Sequence, residues 1–378
     1  MSENPSTLLP AMPNNNPTTS KYEESGVSQT GAETALDHLL KHILPTRQFN
    51  TQFPVKADIG YFANVIDLGN GTGVALCTDG VGTKMRVAEL MHQYDTIGID
   101  CVAMNVNDLI CIGARPVSMV DYIACSHLDS QVFDQLGQGL AEGARQASIS
   151  ISGGEISQIR EIINGIDLIG AALGHIQLDR INTGQNITEG NLVLGMASSG
   201  VHSNGLTLAR RILLGATEDE QKENVHKYEE SLGRTLGAEL LEPTRIYVSA
   251  VLEMFDAGID LRALVHITGG GLLNLLRVQR KGIRFVIDPL PDVPPVFSLI
   301  QQRGEISTAE MYEVFNMGVG FCVVVEHAND ADAVQKICKR HGISCHGIGY
   351  VEPTGNGGNE VVIPSKKLKS ENGHFTPE

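Results

Sequence analysis

VALCTDGVGTK (residues 74–84) begins as an apolar run, Val74 to Cys77, and breaks at Thr78-Asp79-Gly80 into a polar turn with a second glycine, Gly82, before Thr83 and Lys84. A short apolar strand that stops at Asp and Gly and hands over to a helical pattern is the unit from which α/β proteins are built. The pattern repeats downstream. Thr96 to Ile112 has apolar residues at helical spacing, and Ser118 to Ala124, Ile149 to Ser152 and Asp167 to Gly174 read as strands, which together predict a sheet with helices on one face. Around residues 177–190 the pattern gives way to polar and turn-forming residues, the expected domain boundary. A second α/β series follows: strands at Leu192 to Ala197, Arg262 to Ile267, Ile283 to Ile287, Val319 to Val325 and Ile348 to Val351, with helices at Leu206 to Leu214, Arg245 to Ala257 and Ala331 to Arg340. The expected division is a disordered tail (1–20), an N-terminal domain (21–178), a C-terminal domain (179–365) and a flexible tail (366–378).

Composition supports two cores. The chain has 378 residues, more than one hydrophobic core usually serves. Apolar residues make up 42% but aromatics only 5%, with no Trp, so the cores must be built from Val, Ile, Leu and Ala. A formal charge of −16 disfavours nucleic acid and anionic membrane as partners, and an anionic substrate then needs a local site. No run reaches the roughly 18 apolar residues of a membrane span, and the Pro- and Asn-rich start does not read as a signal peptide. The seven Cys form no C-x-x-C pair, as expected for reduced thiols in a cytoplasmic protein.

Four segments could carry chemistry. In 78–84, Gly80 and Gly82 let the backbone approach a ligand, Asp79 can meet a metal and Lys84 a phosphate; the spacing is not that of a Walker loop, and a capped strand-to-helix turn is an equal reading. In the expected helix, Asp100, Asn105 and Asp108 can share one polar face, which taken alone suits a solvated surface better than a metal site. Gly153-Gly154-Glu155 offers a third carboxylate, or merely a strand end. Together Asp79, Asp108 and Glu155 would suffice for Mg²⁺ once nucleotide phosphates supply other oxygens. Finally, Ser198-Ser199-Gly200-Val201-His202-Ser203-Asn204-Gly205 and His266-Ile267-Thr268-Gly269-Gly270-Gly271 each join a strand to a helix and pair glycines with a histidine, so N–H groups and an imidazole could face a phosphoryl group. Either loop alone is more readily an ordinary capped helix start.

In this order, TDGVGTK (78–84), DTIGIDCVAMNVNDLICIGARP (95–116), SSGVHSNGLTLAR (198–210), HITGGG (266–271) and EMYEVFNMGVGF (310–321), with the opening YEESGVSQTGAE (22–33), resemble the aminoimidazole ribonucleotide synthetase (phosphoribosylformylglycinamidine cyclo-ligase) family over residues 21 to about 355. Two segments depart from the family. Glu155 is followed by Ile156-Ser157-Gln158-Ile159 where many members continue Thr-Ala-Glu-Met-Pro, and 58–63 (DIGYFA) has one glycine where a glycine-rich segment usually covers the nucleotide.

The resemblance implies a two-domain α/β fold, with the N-terminal sheets of two subunits closing a barrel in a homodimer. It also implies ATP-dependent closure of formylglycinamidine ribonucleotide to aminoimidazole ribonucleotide, ADP and phosphate through an iminophosphate. On that reading Asp79, Asp108 and Glu155 bind Mg²⁺. Asp79, Gly80, Gly82, Thr83, Lys84, Asn107, Asp108, Gly153 and Gly154 bind ATP. His202, His266 and Lys84 are catalytic, and Ser203, Asn204, Thr268, Gly269 and Gly270 hold the substrate. The alternative from another class is a non-catalytic nucleotide-binding regulator on the same scaffold, which would need neither histidine.

Overall fold

A computed structural model describes residues 20–26, 29–355 and 357–377; the expected N-terminal tail lies outside them. The first sheet holds β1 (Asn64–Gly69), β2 (Thr72–Gly80), β3 (Arg115–Cys125), β4 (Ser150–Gln158) and β5 (Ile166–Gln177) in the order β1-β2-β5-β3-β4. All pairs are antiparallel except β3 with β4, which are parallel and joined through the helix Ser130–Ala147. That helix is capped by Asp129, whose carboxylate accepts from the N–H groups of Gln131 and Val132.

Beyond a two-stranded hairpin, β7 (Tyr228–Glu229) and β8 (Arg234–Thr235), the second sheet has eight strands: β6 (Leu192–Ala197), β9 (Leu261–His266), β10 (Ile283–Ile287), β11 (Val319–Val325), β12 (Cys345–Pro353), β13 (Glu360–Ile363), β14 (Leu368–Glu371) and β15 (His374–Pro377). Their order is β15-β14-β13-β10-β12-β6-β11-β9. Every residue of the apolar run VGFCVVV in β11 is buried, as an inner strand covered on both faces should be.

Between the sheets runs the helix Ile97–Cys111, in contact with β2, β3 and β5 on one side and β9 on the other. The helix is buried along almost its whole length, Asp100, Asn105 and Asn107 included. The solvated polar face is thus corrected for Asp100 and Asn105: Asn105 bonds the end of β2 and Asp100 bonds the buried Lys84 and Thr244, while Asp108 stays partly exposed.

Gly153-Gly154-Glu155 lies within β4 rather than after a strand, since the exposed β4 continues to Gln158. The 366–378 segment, expected to be a solvated tail, supplies β14 and β15; Leu368 and Phe375 are buried at 3% and 4% exposure, and that apolar pair anchors the hairpin. No helix among the described residues is long and apolar enough to cross a membrane.

Candidate functional site

The end of β2 and the helix Ile97–Cys111 are tied by one side chain. Asn105 accepts from the Asp79 N–H at 3.1 Å and donates to the Asp79 carbonyl at 3.1 Å, so it replaces a missing strand neighbour for Asp79. Gly170, paired with Asp79 on β5, makes the room: a Cβ there would fall 2.5 Å from the Asn105 amide. Asp79 also accepts from the Gly80 N–H at 2.7 Å.

Burial, and then the negative charge of Asp108, push the Asp79 carboxyl up to about 6. A buried carboxylate raised by the charge of a neighbouring one marks a place where a cation is stabilising.

Asp108 is held from the other domain. Its carboxylate lies 2.9 Å from Nδ1 of His266, the last residue of β9, which is itself fully buried. The imidazole thereby fixes the orientation of the Asp108 carboxylate. Asn107 secures the same junction by donating to the Arg245 carbonyl at 2.9 Å and accepting from the Tyr247 N–H at 3.0 Å.

Lys84 departs from its expected placement. It is fully buried, its ammonium donates to Asp100 at 2.9 Å and to the Glu242 carbonyl at 2.5 Å, and it is therefore committed to an internal ion pair. One oxygen of Asp100 also accepts from the Thr244 N–H and hydroxyl and from Ser203 Oγ at 3.2 Å. The pair acts as a pin from the first domain into the loops around Ser203 and Thr244, and breaking one side would leave a buried charge uncompensated. Asp100 and Thr244 carry this junction, yet sequence reading gave Thr244 no role and Asp100 only a place on a polar face, because the partners of Asp100 lie 16 to 144 residues away.

His202 stands with positive φ (64°) and is 2% exposed. Its Nε2 accepts from the Ser199 N–H at 3.1 Å, which assigns the ring proton to Nδ1. Burial, then the nearby His266, Lys84 and Arg245, lower its pKa well below the usual value, so the ring is neutral at pH 7. Gly320 is glycine because a Cβ there would meet His202 Cε1 at 2.6 Å and collide with the Tyr247 hydroxyl. Ser198 Oγ, His202 Nδ1 and Arg245 Nε are buried with no hydrogen-bond partner, three donors of the kind that an ordered water or ligand oxygen satisfies.

The two glycine loops meet: a Cβ on Gly269 would be 3.3 Å from Asn204 Oδ1. Thr83 hydrogen-bonds Thr207 at 2.8 Å, and Gly82 and Gly269 are exposed while Thr268 and Gly270 are half-buried.

Gly153, Gly154 and Glu155 are not brought to this group. The register runs Asp79–Gly170–Asp121–Gly154 across the sheet, so Gly154 is three strand spacings from Asp79, roughly 14 Å. Glu155 belongs to the next row, with Tyr122 and Ile169, and so points from the opposite face. Of the three carboxylates expected to bind Mg²⁺, only Asp79 and Asp108 remain as candidates within one chain, and among the described residues no group of three or more His, Cys, Asp or Glu forms a metal cage. The pair still fits a hard cation whose remaining oxygens come from phosphates. A cavity of about 560 Å³ lies elsewhere, among Arg115, His175, Arg180 and Arg262, and contains none of these residues.

Solved structures share this architecture. A chain of the HypE–HypF complex matches with TM-score 0.58 at 19% identity, over 80% of this chain and 90% of its own. AaThiL complexed with AMPPCP and TMP matches with TM-score 0.58 at 18% identity, over 90% and 96%. Residues 60–176 match the AIR synthase related protein N-terminal domain and residues 188–361 its C-terminal domain. Fold and site together define a two-domain α/β protein of the AIR synthase related class.

Phosphoribosylformylglycinamidine cyclo-ligase of Methanocaldococcus jannaschii is 40% identical over 344 residues, 90% of this chain and 95% of its own. The Pyrococcus furiosus protein of that name is 42% identical over 315 residues, 83% and 90%. The chain belongs to the phosphoribosylformylglycinamidine cyclo-ligase family.

Proposed function

We propose that the chain closes the imidazole ring of aminoimidazole ribonucleotide, a step of de novo purine biosynthesis, using ATP and formylglycinamidine ribonucleotide. The observation that carries this reading is likeness to enzymes of that name along nearly the whole chain. The formyl oxygen attacks the γ-phosphorus and ADP leaves. The amidine nitrogen then attacks the activated carbon, the carbon–oxygen bond breaks, phosphate departs and the nitrogen gives up a proton. Magnesium at Asp79 and Asp108 would neutralise charge on the transferring phosphoryl group.

The chain's own residues then have distinct tasks. Asn105 fixes the Asp79 backbone and His266 fixes Asp108. The Gly80–Thr83 turn and the Thr268–Gly270 loop offer backbone to ATP and substrate, with Ser203 and Asn204 beside them. His202 contributes a neutral ring whose Nδ1–H has no partner within the protein and can donate to a phosphoryl oxygen.

The same proposal includes a cytoplasmic homodimer. Leu76, Val120, Tyr122 and Leu173 share one face of the first sheet and are 37% to 43% exposed, an apolar surface that the same face of a second copy would cover by closing a barrel. Sedimentation at micromolar concentration should give twice the chain mass, and Val120→Asp should give the monomer. Incubating the protein with ATP, Mg²⁺ and formylglycinamidine ribonucleotide should release ADP only when the ribonucleotide is present. Absence of substrate-dependent ADP would overturn the activity.

A further inference from the structure

With Lys84 consumed by Asp100, the acidic site needs another cation to meet its anionic reactants, and the fold supplies one. Arg277 ends the 3₁₀ turn Gly271–Arg277 that grows out of the HITGGG loop. Its side chain is exposed, and its guanidinium lies over the Phe62 ring at 4.9 Å. Among the described residues no carboxylate pairs with it.

Phe62 belongs to the segment where this chain has DIGYFA in place of a glycine-rich run, and that segment is docked against the site. Tyr61 packs edge-on against Phe62 at 5.0 Å and donates to the Leu264 carbonyl at 3.0 Å, two residues before His266 on β9. The platform under Arg277 is therefore fixed to the strand that orients Asp108.

We propose that Arg277, seated on the Phe62 face, is the phosphate-binding cation of this site and takes an oxygen of a phosphoryl or phosphate group bound beside Asp79 and Asp108. A planar guanidinium on a ring keeps its edge free for two parallel hydrogen bonds to such a group, which a lysine cannot reproduce. The group could come from the ATP polyphosphate or from the 5′-phosphate of the ribonucleotide. The assignment rests on the proposed activity for its substrates but not for its binding readout.

The test uses the full chain and the variants Arg277→Ala, Arg277→Lys and Phe62→Leu, each with its melting temperature. Calorimetry with Mg-AMPPCP and, separately, with ribose 5-phosphate asks which phosphate Arg277 holds, and steady-state kinetics gives KM for ATP and for the ribonucleotide. Arg277→Ala should weaken one of the two ligands by about tenfold or more, with lysine restoring only part. Phe62→Leu should raise the same constant a few-fold, and should add little in the Arg277→Ala background. Both affinities and both KM values within twofold of wild type in a folded Arg277→Ala protein would overturn the assignment. A wild type that binds but makes no ADP would instead overturn the activity and leave the binding comparison standing.

Discussion

The SSGVHSNG and HITGGG loops use the same ingredients, a histidine among glycines at the end of a β-strand, and put them to different work. His202 bonds the N–H of Ser199 three residues away and shapes its own loop. His266 reaches across the domain junction to Asp108. One is a local fastener and the other a link between domains. The difference follows from what faces each ring: backbone and the Tyr247 side chain for His202, and a carboxylate on the central helix for His266. Residue type and spacing announce a histidine loop; the opposing element decides its role.

That contrast can be broken by substitution. The largest effect should come from Asp108→Asn, which keeps shape but removes the charge that both His266 and a cation use; Mg-ATP affinity should drop by about 10²-fold with the fold intact, as read by calorimetry and circular dichroism. His202→Ala should cost about 2–4 kcal/mol of stability, because it leaves a void beside Tyr247 and Gly320 and orphans the Ser199 N–H. Denaturant unfolding reads this, and an unchanged midpoint would move His202 out of its fastening role. His266→Ala should weaken Mg-ATP binding by roughly tenfold, as for loss of a group that orients a metal ligand. A stability loss with unchanged Mg-ATP affinity would make His266 a packing residue only.

The smallest effect is a pH dependence. Asp79 has its pKa raised to about 6 from 3.8. The folded protein therefore holds this proton more tightly than the unfolded chain does, and the stability it contributes is present below pH 4 and lost as pH rises to about 6. A cation competes with that proton, so Mg-ATP affinity should be flat above pH 6.5 and fall by up to about tenfold per unit below 6. Asp79→Asn should flatten this dependence. His202 acts in the opposite sense: held neutral by burial, it is protonated more readily in the unfolded chain, so stability falls as pH drops below about 6.5. His202→Ala should remove that slope while leaving the Asp79-dependent binding profile in place.

Much of the fold was legible because hydrophobic period survives folding. The strand Leu192–Ala197 and the helix Leu206–Leu214 fall where the pattern puts them. The hairpin after Pro364 was not, since Leu368 and Phe375 are too few apolar residues to announce a strand among charged neighbours. At the site, Asp79 and Asp108 were nominated by sequence, and the Asp108 charge does raise the Asp79 carboxyl. Lys84 and Glu155 came out otherwise for reasons no local pattern carries: a buried partner 16 residues on for Lys84, and strand parity for Glu155. Arg277 has no motif of its own, and only the Phe62 contact marks it out.

The central claim is that Asp79, at the end of β2, and Asp108, on the helix between the sheets, serve one cation. Calorimetric titration of Mg-ATP into wild type, Asp79→Asn, Asp108→Asn and the double variant, across a series of Mg²⁺ concentrations, tests it most directly. Each single change should weaken binding sharply and steepen its Mg²⁺ dependence, and the double should lose much less than the sum of the two, because both damage the same site. Strictly additive losses, or an unaltered Mg²⁺ dependence in Asp108→Asn, would contradict it.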